Sequence, residues 1–222
     1  MFASTTTHDF NALVAGFTLI AAVFTALGAV KLIMYLRRAR ERARAQARWI
    51  EFPGKRGLAL SASTPRGAVY EGTVNGMRVM LRRGAEHAPQ DDRKLKPPGP
   101  GYVCIAAQCT RPQPAGLQLW RENERDAARK ETRKLNEVII GNMELDAALI
   151  IRGKQAAEIR ALLCQPEVKQ AVLEFFKQWP ESIVTDYWVK CEADALAKNA
   201  RPPEDMLEAA LSVAKALDNA KR

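Results

Sequence analysis

The sequence predicts an α+β fold, in which an N-terminal transmembrane helix is followed by a cytoplasmic antiparallel sheet with two or three helices packed on one face. Three observations predict it. A long uncharged apolar run is followed directly by a cluster of arginines. Short alternating segments separated by turn pairs fill the first part of the remaining chain. Helical periodicities with one late β-rich stretch fill its last third, and strands first, helices later is the α+β order rather than the alternating one.

The chain has 222 residues, 47% hydrophobic and 27% charged, enough apolar content for an ordinary core. Its 34 Lys and Arg outnumber 25 Asp and Glu, a net charge of +9. Residues 1–54 hold 7 cations and 3 acids, or +4, which leaves +5 for the other 168 residues. Basicity is concentrated beside the apolar run and not spread as a nucleic-acid footprint, so no nucleic-acid partner is expected.

No charged residue occurs from Phe10 to Val30, and apolar character continues past Lys31 to Leu36. About 20 apolar residues cross a hydrocarbon core, so a transmembrane helix is expected over 11–36. The Lys31 stem is long enough to carry its ammonium to the headgroups, and Tyr35 suits the interface. A cleaved signal peptide does not fit: no Lys or Arg precedes the run, which is longer than a signal core, and a basic cluster follows where a cleavage site belongs. The N-terminal flank has Asp9 and no cation, whereas 37–48 has six arginines and Glu41. The positive-inside rule therefore places residues 1–10 outside and everything after Leu36 in the cytoplasm, at a bacterial inner membrane.

Ala22 and Ala26 are four residues apart and share a helix face with room for a close neighbour, and Ala29 extends the small-residue set. Self-association or a membrane-protein partner is expected there. Residues 37–56 read as a basic juxtamembrane helix and linker, broken at Pro53-Gly54. Lys31, Arg37, Arg38, Arg40, Arg42, Arg44 and Arg48 are the expected contacts to anionic lipid headgroups, each contributing about 1 kcal/mol near such a surface.

The cytoplasmic domain is expected over 57–222. GLALSAS (57–63) reads as a strand. GAVYEGTV and MRVMLRRG flank Asn75-Gly76, the favoured type I′ pair, and form a hairpin with Met77, Val79 and Leu81 on one face. Residues 84–100 lack any apolar period and read as a long loop, in which Pro97-Pro98 suits a polyproline turn. Further strands are expected at 102–109 and 117–122, and another at 137–140 (EVII). Polar residues 123–136 read as a loop or exposed helix, and 145–151 as a strand or interior helix. Gln155 to Leu163 is helical. Pro166 opens a second helix with Val168, Ala171, Val172, Phe175 and Phe176 on one face. The stretch 182–191 is β-rich. Pro202-Pro203 opens the last helix, whose stripe is Met206, Leu207, Ala210, Leu211, Ala214 and Leu217.

Four segments, GAVYEGTV, GLQLWRE, GNMELDAALIIRG and QPEVKQAVLEF, resemble bacterial single-pass proteins with an uncharacterised membrane-anchored cytoplasmic α+β domain. The resemblance covers roughly 57–218. It implies an anchored cytoplasmic domain and carries no catalytic residue.

No catalytic, cofactor or metal site is expected. His8 and His87 lack convergent partners, and a zinc or nucleophile site needs several. Cys104 and Cys109, five apart, point to opposite faces if both lie on one regular strand, and are expected as small buried hydrophobes rather than co-ligands; Cys164 and Cys191 complete the four cysteines, for which no disulfide is expected. Glu144 and Asp146 share a face if their segment is a strand, and Asp91-Asp92 lie in the loop. No phosphate-binding glycine motif is present. The expected function is a non-catalytic accessory subunit, adaptor or scaffold of an inner-membrane complex. Lipid or small-ligand sensing is the alternative, marked by an apolar cavity. A membrane-surface hydrolase is a third reading, marked by a polar cleft lined by Glu144, Asp146 or a cysteine.

Overall fold

A computed structural model of the chain describes residues 5–65, 67–84, 101–122, 137–197 and 200–220, with side chains from residue 27 onward. The expected loop at 85–100, the polar segment 123–136, and both histidine positions lie outside the described side chains. The chain divides into two compact units, Met1–Arg44 and Ala45–Arg222.

Helix α1 runs from Thr5 to Lys55. At 1.5 Å per residue its 51 residues span about 77 Å. The break expected at Pro53-Gly54 within 37–56 is not there. The helix continues through Pro53, and Trp49 (3% exposed) and Phe52 (0%) are core residues of the second unit. The proline sits in the last turn, where it forgoes one N–H bond to the Trp49 carbonyl without ending the helix. A Schellman motif then closes the helix. Gly57 adopts φ 68°, its N–H donates to the Gly54 carbonyl at 3.2 Å, and the Leu58 N–H donates to the Pro53 carbonyl at 2.9 Å. Gly72 leaves room for this turn, because a Cβ there would lie 2.9 Å from Leu58 Cδ2.

Eight strands form one sheet in the order β1-β2-β3-β4-β8-β7-β5-β6, and every neighbouring pair is antiparallel. The strands are β1 (Ala59–Thr64), β2 (Gly67–Val74), β3 (Met77–Arg83), β4 (Tyr102–Gln108), β5 (Gln118–Trp120), β6 (Ile150–Arg152), β7 (Ile183–Thr185) and β8 (Trp188–Asp194). The β2–β3 hairpin turns at Asn75 (φ 53°) and Gly76 (φ 80°), the positive pair that a type I′ turn requires. Its register, Val74 opposite Met77 through Ala68 opposite Arg83, is unbroken. β4 reaches across the sequence to β8, with Tyr102 opposite Asp194 and Gln108 opposite Trp188.

Among the described residues the remaining helices are α2 (Met143–Ala148), α3 (Ala156–Leu163), α4 (Pro166–Gln178) and α5 (Pro203–Asn219). α5 packs on β4 and β8 at the middle of the sheet, and α4 packs on α5. The core joins Val79, Leu81, Val103, Ile105, Ala107, Val189 and Cys191 from the sheet to Met206, Leu207, Ala210, Ala214 and Leu217 of α5. Phe175 and Phe176 meet edge to face at 5.2 Å. An α+β architecture with an antiparallel sheet and several helices is therefore what the chain forms.

Three local expectations are corrected. Residues 137–140 are not a strand, although the Val138 N–H donates to the Ile151 carbonyl at 2.7 Å. The segment 145–151 divides into the end of α2 and β6. The β-rich 182–191 is two strands, β7 and β8, separated by Asp186 and Tyr187, and β8 runs on to Asp194.

Candidate functional site

The part of α1 whose side chains are described begins with a short stretch that, apart from Lys31, is apolar all round. Leu27, Val30, Leu32, Ile33, Met34, Tyr35 and Leu36 are all exposed, Tyr35 most of all at 69%. At 3.6 residues per turn these positions fall in every quadrant of the helix. A helix apolar on all sides is one built for burial, in a core or a membrane. Among the described residues no helix is long and apolar enough to cross a membrane. Of the transmembrane expectation over 11–36, the side chains of 11–26 lie outside the described residues. Ala22 and Ala26 are among them. Ala29 is exposed, and a Cβ on the neighbouring Gly28 would meet nothing within 4 Å.

Lys31 lies within this stretch, and the arginines follow directly after it. Lys31, Arg37, Arg38, Arg40, Arg42, Arg44 and Arg48 are all exposed on α1. Arg37 pairs with Glu41 one turn on, at 3.4 Å, with both side chains largely in solvent, a contact worth a few tenths of a kcal/mol. The cationic surface stays available to a negative partner.

In the second unit, the tip of the β2–β3 hairpin, the end of α1 and one face of α5 enclose a cleft of about 840 Å³. Val74 and Met77 line it from the hairpin, and Leu207 and Leu211 from α5. Arg56, Glu204, Glu208 and Lys215 bring charge of both signs. Near its far end Asp218 accepts from the Thr110 N–H and Oγ1, each at 2.8 Å, and from the Arg111 N–H at 3.1 Å. That carboxylate ties the end of α5 to the loop after β4. Neither Glu144, Asp146 nor any cysteine lines the cleft. Sequence reasoning did not find this site, because its residues run from Arg56 to Asn219 and no motif links them.

The candidate acids serve structure. Asp146 accepts from the Ile140 N–H at 2.9 Å and the Gly141 N–H at 2.8 Å, and Glu144 pairs with Lys169. Both lie on α2 and not on a strand. Cys104, Cys109 and Cys191 are buried, and Cys164 is exposed. Burial, reinforced by the nearby Glu192 carboxylate, pushes the Cys104 thiol up to about 12. Burial likewise raises the Cys191 thiol. Both are held as thiols at neutral pH, the form that is a poor nucleophile. Cys104 and Cys109 do face opposite sides: Cys109 belongs to the helix-side core, and Cys104 faces away from it. No group of three or more potential metal ligands occurs among the described residues.

No family model matches the chain, and no curated protein matches it. Among solved structures it is similar to the crystal structure of the mycobacterial trehalose monomycolate transport factor A, TtfA. The identity is 11%, the TM-score is 0.43, and the match covers 82% of this chain and 94% of that one.

Proposed function

We propose that the chain is a membrane-anchored, non-catalytic accessory subunit or adaptor of a bacterial inner-membrane complex, with α1 as its single anchor. The observation that carries this reading is the exposed apolar stretch Leu27–Leu36, followed at once by the arginine cluster on the same helix. Exposed on every side, that stretch would cost roughly 1.5–3 kcal/mol per large side chain left in water rather than buried. A bilayer or a partner's helices remove the cost. Adding the uncharged run from Phe10 gives about the length that a hydrocarbon core demands. The arginines set the orientation, N-terminus outside and the α+β domain in the cytoplasm, and face anionic lipid headgroups.

A second reading, small-ligand sensing, is favoured by one observation, the 840 Å³ cleft beside α5. Its size suits a drug-sized ligand, and its wall mixes apolar side chains with a few polar ones.

Gentle detergent extraction of the tagged native chain, followed by sizing and mass spectrometry, separates the two. Stoichiometric partners that survive washing are expected. A lone chain in the extract would overturn the accessory reading and turn attention to the cleft.

A further inference from the structure

The sheet has two outer strands, and they are treated differently. At one end β6 is three residues long, and the neighbouring Val138 N–H donates to its Ile151 carbonyl. At the other end β1 is six residues long, ALSAST, with five of the six exposed, including Leu60 at 57%. An outer strand offers unpaired N–H and C=O groups to any strand that reaches it, and proteins usually blunt it with charge, proline or irregularity. β1 has no charged residue and no proline within it. Its single irregularity is the register shift between Leu60 and Ala62, which leaves Ala62, Ser63 and Thr64 in regular pairing with β2.

Two charges near β1 are matched inside the chain. Glu71 on β2 accepts from Arg78 at 2.6 Å and from Ser61 at 3.3 Å, and Lys55 pairs with Glu51 at 2.8 Å. A strand approaching this edge meets no unmatched field from these groups, so a highly charged peptide gains little here. An uncharged strand of small residues fits, and β1 is itself such a strand.

We propose that β1 is a self-pairing edge. Two copies of the chain join antiparallel through β1, with the two-fold axis at Ala62, and merge their sheets. An antiparallel strand paired with its own copy closes on a two-fold axis and leaves no β1 edge to propagate. Ser61 then lies opposite Ser63 and Leu60 opposite Thr64, without like charges. The proposal stands on the second unit alone and does not depend on membrane anchoring.

The test uses the full chain with Cys164→Ser, which removes the exposed native thiol, reconstituted in phosphatidylcholine vesicles. Flotation reports membrane association separately from pairing. Directly opposed positions bring Cβ atoms to about 4.5–5.5 Å, close to the distance a disulfide bridges. Ala62→Cys is expected to form a disulfide dimer under mild oxidation at least ~10-fold faster than Lys177→Cys, an exposed control on α4, because pairing raises the effective thiol concentration. Ala62→Lys, which sets like charges face to face, is expected to shift the mass of the detergent-solubilised chain by light scattering from dimer to monomer with unchanged circular dichroism. Equal crosslinking at the two positions, or a dimer that survives Ala62→Lys, overturns the proposal. So does a wild-type chain that stays monomeric while it floats with the vesicles.

Discussion

Phe52→Ala tests whether the last turns of α1 belong to the folded domain. Phe52 is fully buried, and its ring lies 6.3 Å from that of Trp49, centroid to centroid. It packs in the same cluster as Leu58, Val79 and Leu81. A buried phenylalanine hides about 150–250 Å², which at about 25 cal/mol per Å² is ~4–6 kcal/mol. Measured truncations of buried phenylalanine cost about 3–5 kcal/mol. Both routes point to ~4 kcal/mol, a large share of a net stability of about 5–15 kcal/mol. For a domain of this size each kcal/mol moves Tm by about 2–4 °C, so a fall of ~8–16 °C is expected. Urea unfolding followed by tryptophan fluorescence is the assay, with Ile50→Ala as control. Ile50 is two residues away on the same helix and 57% exposed, and its truncation should stay within about 0.5 kcal/mol. Similar, small effects at both positions would refute the assignment of this helix end to the core and restore it to a linker.

Three other predictions follow from side chains already placed. Asp218→Ala removes the acceptor of three hydrogen bonds from Thr110 and Arg111, with the carboxylate only 8% exposed, and should cost about 3 kcal/mol in urea unfolding; a loss under about 1 kcal/mol would mean the loop after β4 is held otherwise. Of the four cysteines, a thiol reagent at pH 8 should modify Cys164 alone in the native chain and the rest only on unfolding, and early labelling of Cys104 or Cys191 would contradict their burial. The Arg78 guanidinium beside Glu71 holds that carboxyl below its ordinary 4.5, so the stability it contributes is present above that pH and is lost as pH falls through the lowered value. Arg78→Met should flatten that part of the pH–stability profile by up to ~1 kcal/mol, the scale of a partly exposed pair; an unchanged profile would show that the pair is not maintained in solution.

The elements that could be read from sequence are those whose signal is local. Asn75-Gly76 fixes a hairpin because two consecutive positive φ values are a property of two residues. Pro166 and Pro203 mark helix starts because a first-turn proline loses no bond. The failures come where side chains far apart in sequence decide. Residues 137–140 have strand composition, but their backbone is claimed from elsewhere. Arg160 donates to the Ile139 and Ile140 carbonyls, each at 2.9 Å, and Asp146 accepts from the Ile140 and Gly141 N–H groups. Once those groups are satisfied by side chains, a ladder has little left to pair. Likewise Pro53-Gly54 reads locally as a break, and the burial of Trp49 and Phe52 in the domain core accounts for a helix that persists to Lys55.

The same division explains why the function was harder to read than the fold. Among the described residues, four of the groups that the sequence singled out are spent on structure: Asp146 caps a turn, Glu144 pairs with Lys169, and Cys104 and Cys191 are held protonated by burial. What remains are surfaces that the chain builds and leaves open. They are the apolar stretch of α1 with its arginines, the uncharged edge of β1, and the cleft beside α5. The first is continuous in sequence and could be seen there. The edge of β1 depends on where the strand falls in the sheet order, and the cleft depends on three elements meeting. The proposed interaction role rests on these open surfaces, of a kind that marks partner or ligand sites.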